Sequence, residues 1–423
     1  LSDCKYNKRG YEMWYYIYKR HGIHRTKGQK KKCIYLCAVF LIVCFSVLGL
    51  GSTVRAAEDS LEYMYIRATD FPEGDLTRLA NVLRKAQRGE EVTIGFIGGS
   101  ITEGYDASSK DNSYVSLVYK WWCEAFPLTK VNLVNAGVGG TSSYLGVHRV
   151  GEDMLSHNPD LVFIEFAVND THTELCRNSY ENLLRQILGA EMEPAVVLLF
   201  SVNAYGDSVQ PVEAELGEYY RVPMISYGNA VMPEMAAGSF AWWQITSDVV
   251  HPNDMGHAIY AGLITKYLEA VHARLGSIPE VSDWTMPEAV TPQIFTGAHI
   301  ENAGTLLPAT ANGFQVYDFN RHFGNNWYAT EDNAYILFFV RASEIGIMYQ
   351  RTVEGTFGQY DVYLDGQYVK TLDGNYIEGY GTETDVEQIY SSPEHENRLH
   401  ILKIEKSPFS INTDFVVVGL LIT

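Results

Sequence analysis

From about Leu61 to Leu275, short apolar runs alternate with stretches whose apolar positions recur at helical spacing. Val92–Ile97, Val131–Val134, Leu161–Phe166, Ala195–Ser201 and Val222–Ser226 are rich in aliphatic and β-branched residues, which predicts short strands buried on both faces. Between them, Tyr114–Phe126, Tyr144–Ser156, Tyr180–Leu188 and Val212–Tyr220 predict helices, and Met255–Leu275 predicts a closing one. Strands alternating with helices predict an α/β unit, a five-stranded parallel sheet of flavodoxin-like type covered on both faces.

The pattern changes after Ser277. Residues 278–292 hold Pro279, Pro287 and Pro292 among polar residues and read as a linker. Beyond it the apolar runs are short and strand-like: Phe314–Tyr317, Tyr335–Val340, Gly346–Gln350, Tyr360–Leu364, Gln367–Leu372, Leu399–Ile404 and Phe415–Ile422. Asp365-Gly366 separates two of these runs by two residues, the spacing of a hairpin whose type I′ turn needs φ > 0. The second part is therefore expected to be a smaller all-β sandwich of jelly-roll type. The expected division is 1–57, a basic head; 58–277, the α/β unit; 278–292, the linker; and 293–423, the sandwich.

The head changes the picture of where the protein acts. Lys30, Lys31 and Lys32 precede an apolar or small-residue run from Cys33 to Leu50, and Val54-Arg55-Ala56-Ala57 follows. A basic segment, an apolar segment and a small-residue cut site are the parts of a secretory signal, with cleavage expected near Ala56 or Ala57. An uncleaved anchor is the alternative, because the run approaches the length of a membrane span. Either reading exports the body, making the protein secreted or cell-surface, with membrane contact only if the segment stays uncleaved. Eleven Lys or Arg against two acids precede Glu58, so the overall charge of −19 leaves the remainder near −28. Such a body repels phosphate backbones, which excludes nucleic acid as an expected partner. Outside the head only Cys123 and Cys176 remain, enough for one disulfide and with no metal-ligand spacing.

Ligands of open α/β sheets bind outside the carboxyl ends of the strands, so the chemistry is sought there. The loops after the first three strands carry Gly98-Gly99-Ser100, Asn135-Ala136-Gly137-Val138-Gly139-Gly140-Thr141 and Val168-Asn169-Asp170, and the loop before the last helix carries Asp248-Val249-Val250-His251. A hydroxyl, a glycine backbone, an amide and an Asp-x-x-His pair suit acyl transfer. Ser100 is the candidate nucleophile, His251 its base, and Asp248 the group that fixes the imidazole tautomer. The Ser100 and Gly140 backbone N–H groups and the Asn169 amide are candidate oxyanion donors. Taken singly, each element has a plainer reading: a tight turn, a helix cap, a surface pair. Their joint placement at strand ends favours the catalytic one.

In these four blocks, taken in order, the chain resembles the SGNH (GDSL-type) hydrolases over roughly residues 90–275. The resemblance implies the same roles: Ser100 as nucleophile, Asp248 and His251 completing the triad, Gly140 and Asn169 completing the oxyanion hole, and no cofactor or metal. Two positions depart from the family pattern. Gly99 stands where Asp is usual, and Ala167 where Gly is usual.

An exported acidic domain of this type joined to a β-sandwich looks like the carbohydrate esterases that remove acetyl groups from plant polysaccharides. Acetylated polysaccharide, or another small ester, is the expected substrate. Trp242 and Trp243 are candidate sugar platforms beside Asp248, or else core packing under that loop. Asn325-Asn326-Trp327-Tyr328 is a second polar-aromatic stretch that suits either sugar stacking or a capped loop. Two other functions stay open: a lipase or thioesterase of the same superfamily, and a non-catalytic cell-surface carbohydrate-binding protein.

Overall fold

The computed structural model describes residues 61–377, 379 and 381–423. The expected signal segment or anchor lies outside the described residues. Among those described, no helix is long and apolar enough to cross a membrane.

The first part is built as the alternation predicts. Strands β1 (Val92–Gly98), β2 (Val131–Gly137), β3 (Leu161–Glu165), β4 (Ala195–Phe200) and β5 (Met224–Ser226) form one sheet in the order β2-β1-β3-β4-β5, every pair parallel. Helices α1 (Thr77–Gln87), α2 (Ser100–Glu103), α3 (Tyr114–Ala125), α4 (Ser143–Asp153), α5 (Glu174–Leu188), α6 (Gln210–Tyr219), α7 (Tyr227–Ala236), α8 (Trp242–Ile245) and α9 (Asp254–His272) accompany it. Of these, α1 and α3 pack with α9, while α4 and α6 pack with α5. The strand order reverses beside β1, so the β1–β3 junction is the switch point at which such sheets bind ligands. Arg149 of α4, buried to 1% exposure, donates to the carbonyls of Gly98 at 3.1 Å and Ala136 at 2.6 Å. It thereby ties together the ends of β1 and β2.

The second part is antiparallel. One sheet runs β13 (Gln367–Asp373)-β12 (Gln359–Leu364)-β15 (Arg398–Lys406)-β10 (Tyr335–Ala342)-β7 (Thr310–Asn312). The other runs β14 (Thr382–Ser391)-β11 (Glu344–Thr352)-β16 (Phe415–Ile422)-β9 (Asn326–Ala329)-β8 (Phe314–Tyr317), with β6 (His299–Glu301) also on β16. Their inner faces enclose Trp327, Phe338, Tyr360 and Phe415. Asp365 and Gly366 take φ of 51° and 79°, as the hairpin requires.

β16 is buried at every position. Its Phe415, Val417 and Leu420 enter the sandwich core, whereas Val416, Val418 and Leu421 join the core of the α/β part around Tyr144 and Phe295. Phe-Val-Val-Val-Gly-Leu-Leu-Ile is apolar throughout because both of its faces are covered. The sandwich is thus fused to the α/β part through a shared core.

The proline-rich stretch differs from a free linker. Residues 278–298 contain no helix or strand, yet they are strapped along α5 and α6. The Glu181 carboxylate accepts the N–H groups of Val290 at 2.8 Å and Thr291 at 2.6 Å, and Trp284 Nε1 donates to Tyr220 O at 2.9 Å. Cys123 and Cys176 are both free.

Beneath the strand ends lies a buried acidic group. Glu165 accepts from Thr102 and Ser201, and Asp170 from the Ser143 amide and hydroxyl. Glu213 is fully buried nearby. Burial pushes its carboxyl well above the usual range, and the Asp170 and Glu165 charges add to the effect. The folded chain thus holds this proton at a pH where the unfolded chain, with a pKa near ~4.3, has released it. Stability from this group is present below the unfolded pKa and declines by about 1.4 kcal/mol per pH unit as pH rises toward the folded value. Glu213→Gln should remove that decline. In urea unfolding, its stability relative to the native chain is expected to grow between pH 5 and pH 8. A difference constant with pH would mean that Glu213 does not titrate on unfolding.

Candidate active site

At the switch point the chain places Ser100 at the start of α2, directly after β1. Asp248 and His251 lie in the loop between α8 and α9. That loop is closed by a bridge between Thr246 and Pro252 and by hydrogen bonds Ser247 N to His251 O and Asn253 N to Ile245 O, both 3.0 Å. Asn253 then caps α9 by accepting the Met255 and Gly256 amides. Ser100 Oγ lies 2.8 Å from His251 Nε2, and His251 Nδ1 lies 2.7 Å from Asp248 Oδ2. A carboxylate only accepts, so Nδ1 carries the imidazole proton and Nε2 is left to accept from the hydroxyl. Asp248 Oδ1 accepts the backbone N–H groups of Val250 and His251, both at 2.7 Å. Burial of Asp248 works against its charge, but the His251 ring and these two amides outweigh it and hold the carboxyl below its ordinary range.

Asn169 follows β3 in a turn in which it and Asp170 both donate to Phe166 O at 2.9 Å. Asp170, expected to act as a cap if it did nothing else, accepts the Ser143 amide at the start of α4 and so joins the third loop to the second. The second loop brings Gly139 and Gly140 beside Ser100, with Gly140 at φ 73°, a conformation that favours glycine. The departure at Gly99 has a local cause. A Cβ at this position would lie 2.2 Å from Asn169 Oδ1 and 3.2 Å from Nδ2. Here the amide packs flush on the nucleophile's turn and leaves no room for a side chain.

These residues form the floor of a cleft of about 460 Å³. Ser100, Tyr105, Gly139, Gly140, Asn169 and His251 belong to the α/β part. The opposite wall comes from the sandwich and includes Asn320, Arg321, His322, Gln350, Glu383 and Thr384. Asn320 donates to Gln350 at 2.8 Å and to Thr384 at 2.6 Å, which stiffens this wall. Arg321 and His322 reach Glu103, the last residue of α2. These sandwich residues and Glu103 were not among the sequence candidates. Arg321 and Glu383 lie in polar stretches whose approach to Ser100 depends on docking of the sandwich. Glu103, three residues after Ser100, was the one marked by proximity in sequence.

The candidate sugar platforms are placed elsewhere. Trp242 Nε1 donates to the Asp248 carbonyl at 2.8 Å and braces the loop, whereas Trp243 is 75% exposed; neither lines the cleft. The Asn325–Tyr328 stretch contributes indirectly. Trp327 is core at 2% exposure, and Asn326 accepts the Phe319 and Asn320 amides while donating to Phe323 O. It thereby shapes the loop that carries Arg321 and His322 to the cleft. Among the described residues, Asp106, Asp248 and His251 form one acidic group with metal-like spacing, but its His251 Nδ1 is already bonded to Asp248.

A hydroxyl, an imidazole and a carboxylate in hydrogen-bonded series at the mouth of a parallel sheet have the geometry of acyl transfer. Residues 96–259 match the GDSL-like Lipase/Acylhydrolase family. The chain is similar to the crystal structure of a two-domain esterase (CEX) active on acetylated mannans, at 30% identity. The match covers 84% of this chain and 97% of that one, with a TM-score of 0.79. For the same esterase co-crystallised with mannopentaose, identity is 30%, coverage 83% and 95%, and the TM-score 0.76. Thioesterase 1/protease 1/lysophospholipase L1 of Escherichia coli K12 is 26% identical over 185 residues, 42% of this chain and 83% of its own. The protein is a carboxylic-ester hydrolase. It belongs to the GDSL-like lipase/acylhydrolase family, of the SGNH superfamily.

Gly99→Ala tests the packing of Asn169 on the nucleophile's turn. The added methyl should displace the amide and lower kcat on a small aryl acetate by more than about tenfold, since catalysis is sensitive to shifts of about 1 Å. Wild-type kcat in a folded Gly99→Ala protein would show that the amide's position does not matter.

Proposed function

We propose that this protein is an exported serine esterase that removes acetyl groups from polysaccharide, with acetylated mannan the first substrate to test. The observation that carries the reading is the hydrogen-bonded series Ser100–His251–Asp248 on the floor of a cleft whose far wall is polar. Activity on acetylated mannans of an esterase similar over most of both chains supports the substrate class. The basic and apolar head supports export.

In this mechanism Ser100 Oγ attacks the acetyl carbonyl carbon while His251 Nε2 takes its proton. Asp248 stabilises the imidazolium that forms. Charge developing on the carbonyl oxygen is met by the Ser100 and Gly140 N–H groups and the Asn169 amide, each donor contributing about 2.7–4 kcal/mol in the transition state. His251 returns the proton to the departing sugar oxygen. Water, activated by the same imidazole, then releases acetate from Ser100. No step requires a metal or cofactor.

The sandwich side of the cleft also carries Arg321, Thr382 and Glu383, polar side chains suited to sugar hydroxyls, which favours a glycan over a long acyl chain. On a panel of acetylated mannan, acetylated xylan and aryl esters of increasing acyl length, acetate release from mannan should dominate, and turnover should fall as the acyl group lengthens. Ser100→Ala should abolish release. Asp248→Asn should lower kcat by about 10⁴-fold through the wrong imidazole tautomer, and chelators should have no effect. Preference for long acyl chains would instead support a lipase or thioesterase. Failure of an organophosphonate to label Ser100 would support a binding protein without catalysis.

A further inference from the structure

The steps proposed above do not use Glu103, yet this side chain lies between the nucleophile's turn, the Gly139 loop and the sandwich wall. It closes the single helical turn that begins at Ser100. Its Oε2 accepts the Gly139 N–H at 2.8 Å. One nitrogen of the Arg321 guanidinium lies 2.8 Å from Oε1 and 3.1 Å from Oε2, and His322 Nε2 is 3.5 Å from Oε1. Burial works against a charge on Glu103. The His322 contact, the Arg321 charge and the Gly139 amide outweigh it and hold the carboxyl below the usual range, so it is an anion at neutral pH.

The loop it grips has little else to hold it. Gly139 and Gly140 carry no side chains, and a glycine pair is the least constrained of backbones. The neighbouring anchors are Val138 N to Gly98 O at 3.1 Å and Thr141 Oγ1 to Val138 O at 2.7 Å. Thr141 and Glu103 hold the two ends of one unit, the Val138–Gly139 peptide: Thr141 donates to its carbonyl and Glu103 accepts its N–H. The next peptide along the chain carries the Gly140 N–H.

We propose that Glu103 is a positioning residue for ester hydrolysis. By gripping the Gly139 N–H it fixes the Val138–Gly139 peptide, and through it the adjoining Gly140 N–H, relative to Ser100, and Arg321 of the sandwich supplies the cation that holds the carboxylate in place. The sandwich then acts on the chemical step itself. This inference rests on Gly140 serving as an oxyanion donor.

The test uses 4-nitrophenyl acetate, which has no sugar for Arg321 to bind, with Glu103→Ala, Glu103→Gln, Arg321→Ala and the Gln/Ala double variant in the full chain. Rates are expressed per active site titrated by organophosphonate labelling of Ser100. Glu103→Ala should lower kcat by about 30–100-fold with KM within about threefold, the pattern of a misplaced transition-state donor. Glu103→Gln should restore kcat to within about tenfold of wild type, because its amide oxygen still accepts from Gly139. Arg321→Ala should lower kcat by about 3–10-fold and add little in the Gln background, since both changes break one link.

A residue that only staples the fold would lower the melting temperature and leave kcat per titrated site unchanged, which overturns the proposal. Full activity of Arg321→Ala on this substrate overturns the role of the sandwich. If Glu103→Ala does not fold, the Gln and Arg321 cycle decides alone. Turnover by Ser100→Ala would instead overturn the serine mechanism, whereas full kcat in Glu103→Ala beside an inactive Ser100→Ala overturns only this inference.

Discussion

His251 must meet Ser100 across 151 residues of chain, at a separation of 2.8 Å, with Asp248 behind it. Everything else at the open end of the sheet serves that meeting. The parallel sheet brings the ends of β1, β2 and β3 side by side, and the α8–α9 loop folds over them. Cross-links between loops keep the alignment: Arg149 between the ends of β1 and β2, Asp170 between the Asn169 turn and the start of α4, and Trp242 under Asp248. Each uses a polar group, mostly buried, whose hydrogen bonds would be costly to leave unmade.

The sandwich takes part in this arrangement because it shares a core with the α/β part. β16 turns one set of side chains toward Trp327 and Phe338 and the other toward Tyr144 and Phe295. Docking through apolar contact on both faces leaves the sandwich a fixed wall. The Phe319–Phe323 segment, shaped by Asn326, and the β14 residues Glu383 and Thr384 consequently face the Ser100 side of the cleft. The strapping of residues 278–298 along α5 and α6 has the same effect, since Glu181 holds that segment by two amides.

Legibility in the sequence followed the kind of burial. β3, β4 and β16 are legible because strands covered on both faces are apolar without interruption, whereas the edge strand β2 shows only through its Val131–Val134 run. β14 was not read, because Thr382–Ser391 is half-exposed and mostly polar. β9 does not show as a strand, because Asn325 and Asn326 look like turn residues, although Asn326 is fully buried and works as a hydrogen-bonding hub. The four loop blocks were legible for another reason: each stands directly after a strand or before a helix, so element order alone places them at one sheet edge. The roles expected of Trp242 and Trp243 depended on which way each ring turns, and neighbours distant in sequence decide that.

By itself, then, the sequence determined the α/β and all-β architecture, the edge of the sheet where chemistry gathers, and the residues from which a serine esterase would be built. These follow from periodicity and from local order along the chain. Tertiary structure alone decided that the proline-rich segment is a strap, that the Asn169 amide packs against Gly99, and that a wall of the cleft belongs to the sandwich. It also decided that Glu103 meets Arg321, a pair 218 residues apart. Contacts of that kind depend on how two finished surfaces dock, and no local pattern records the docking.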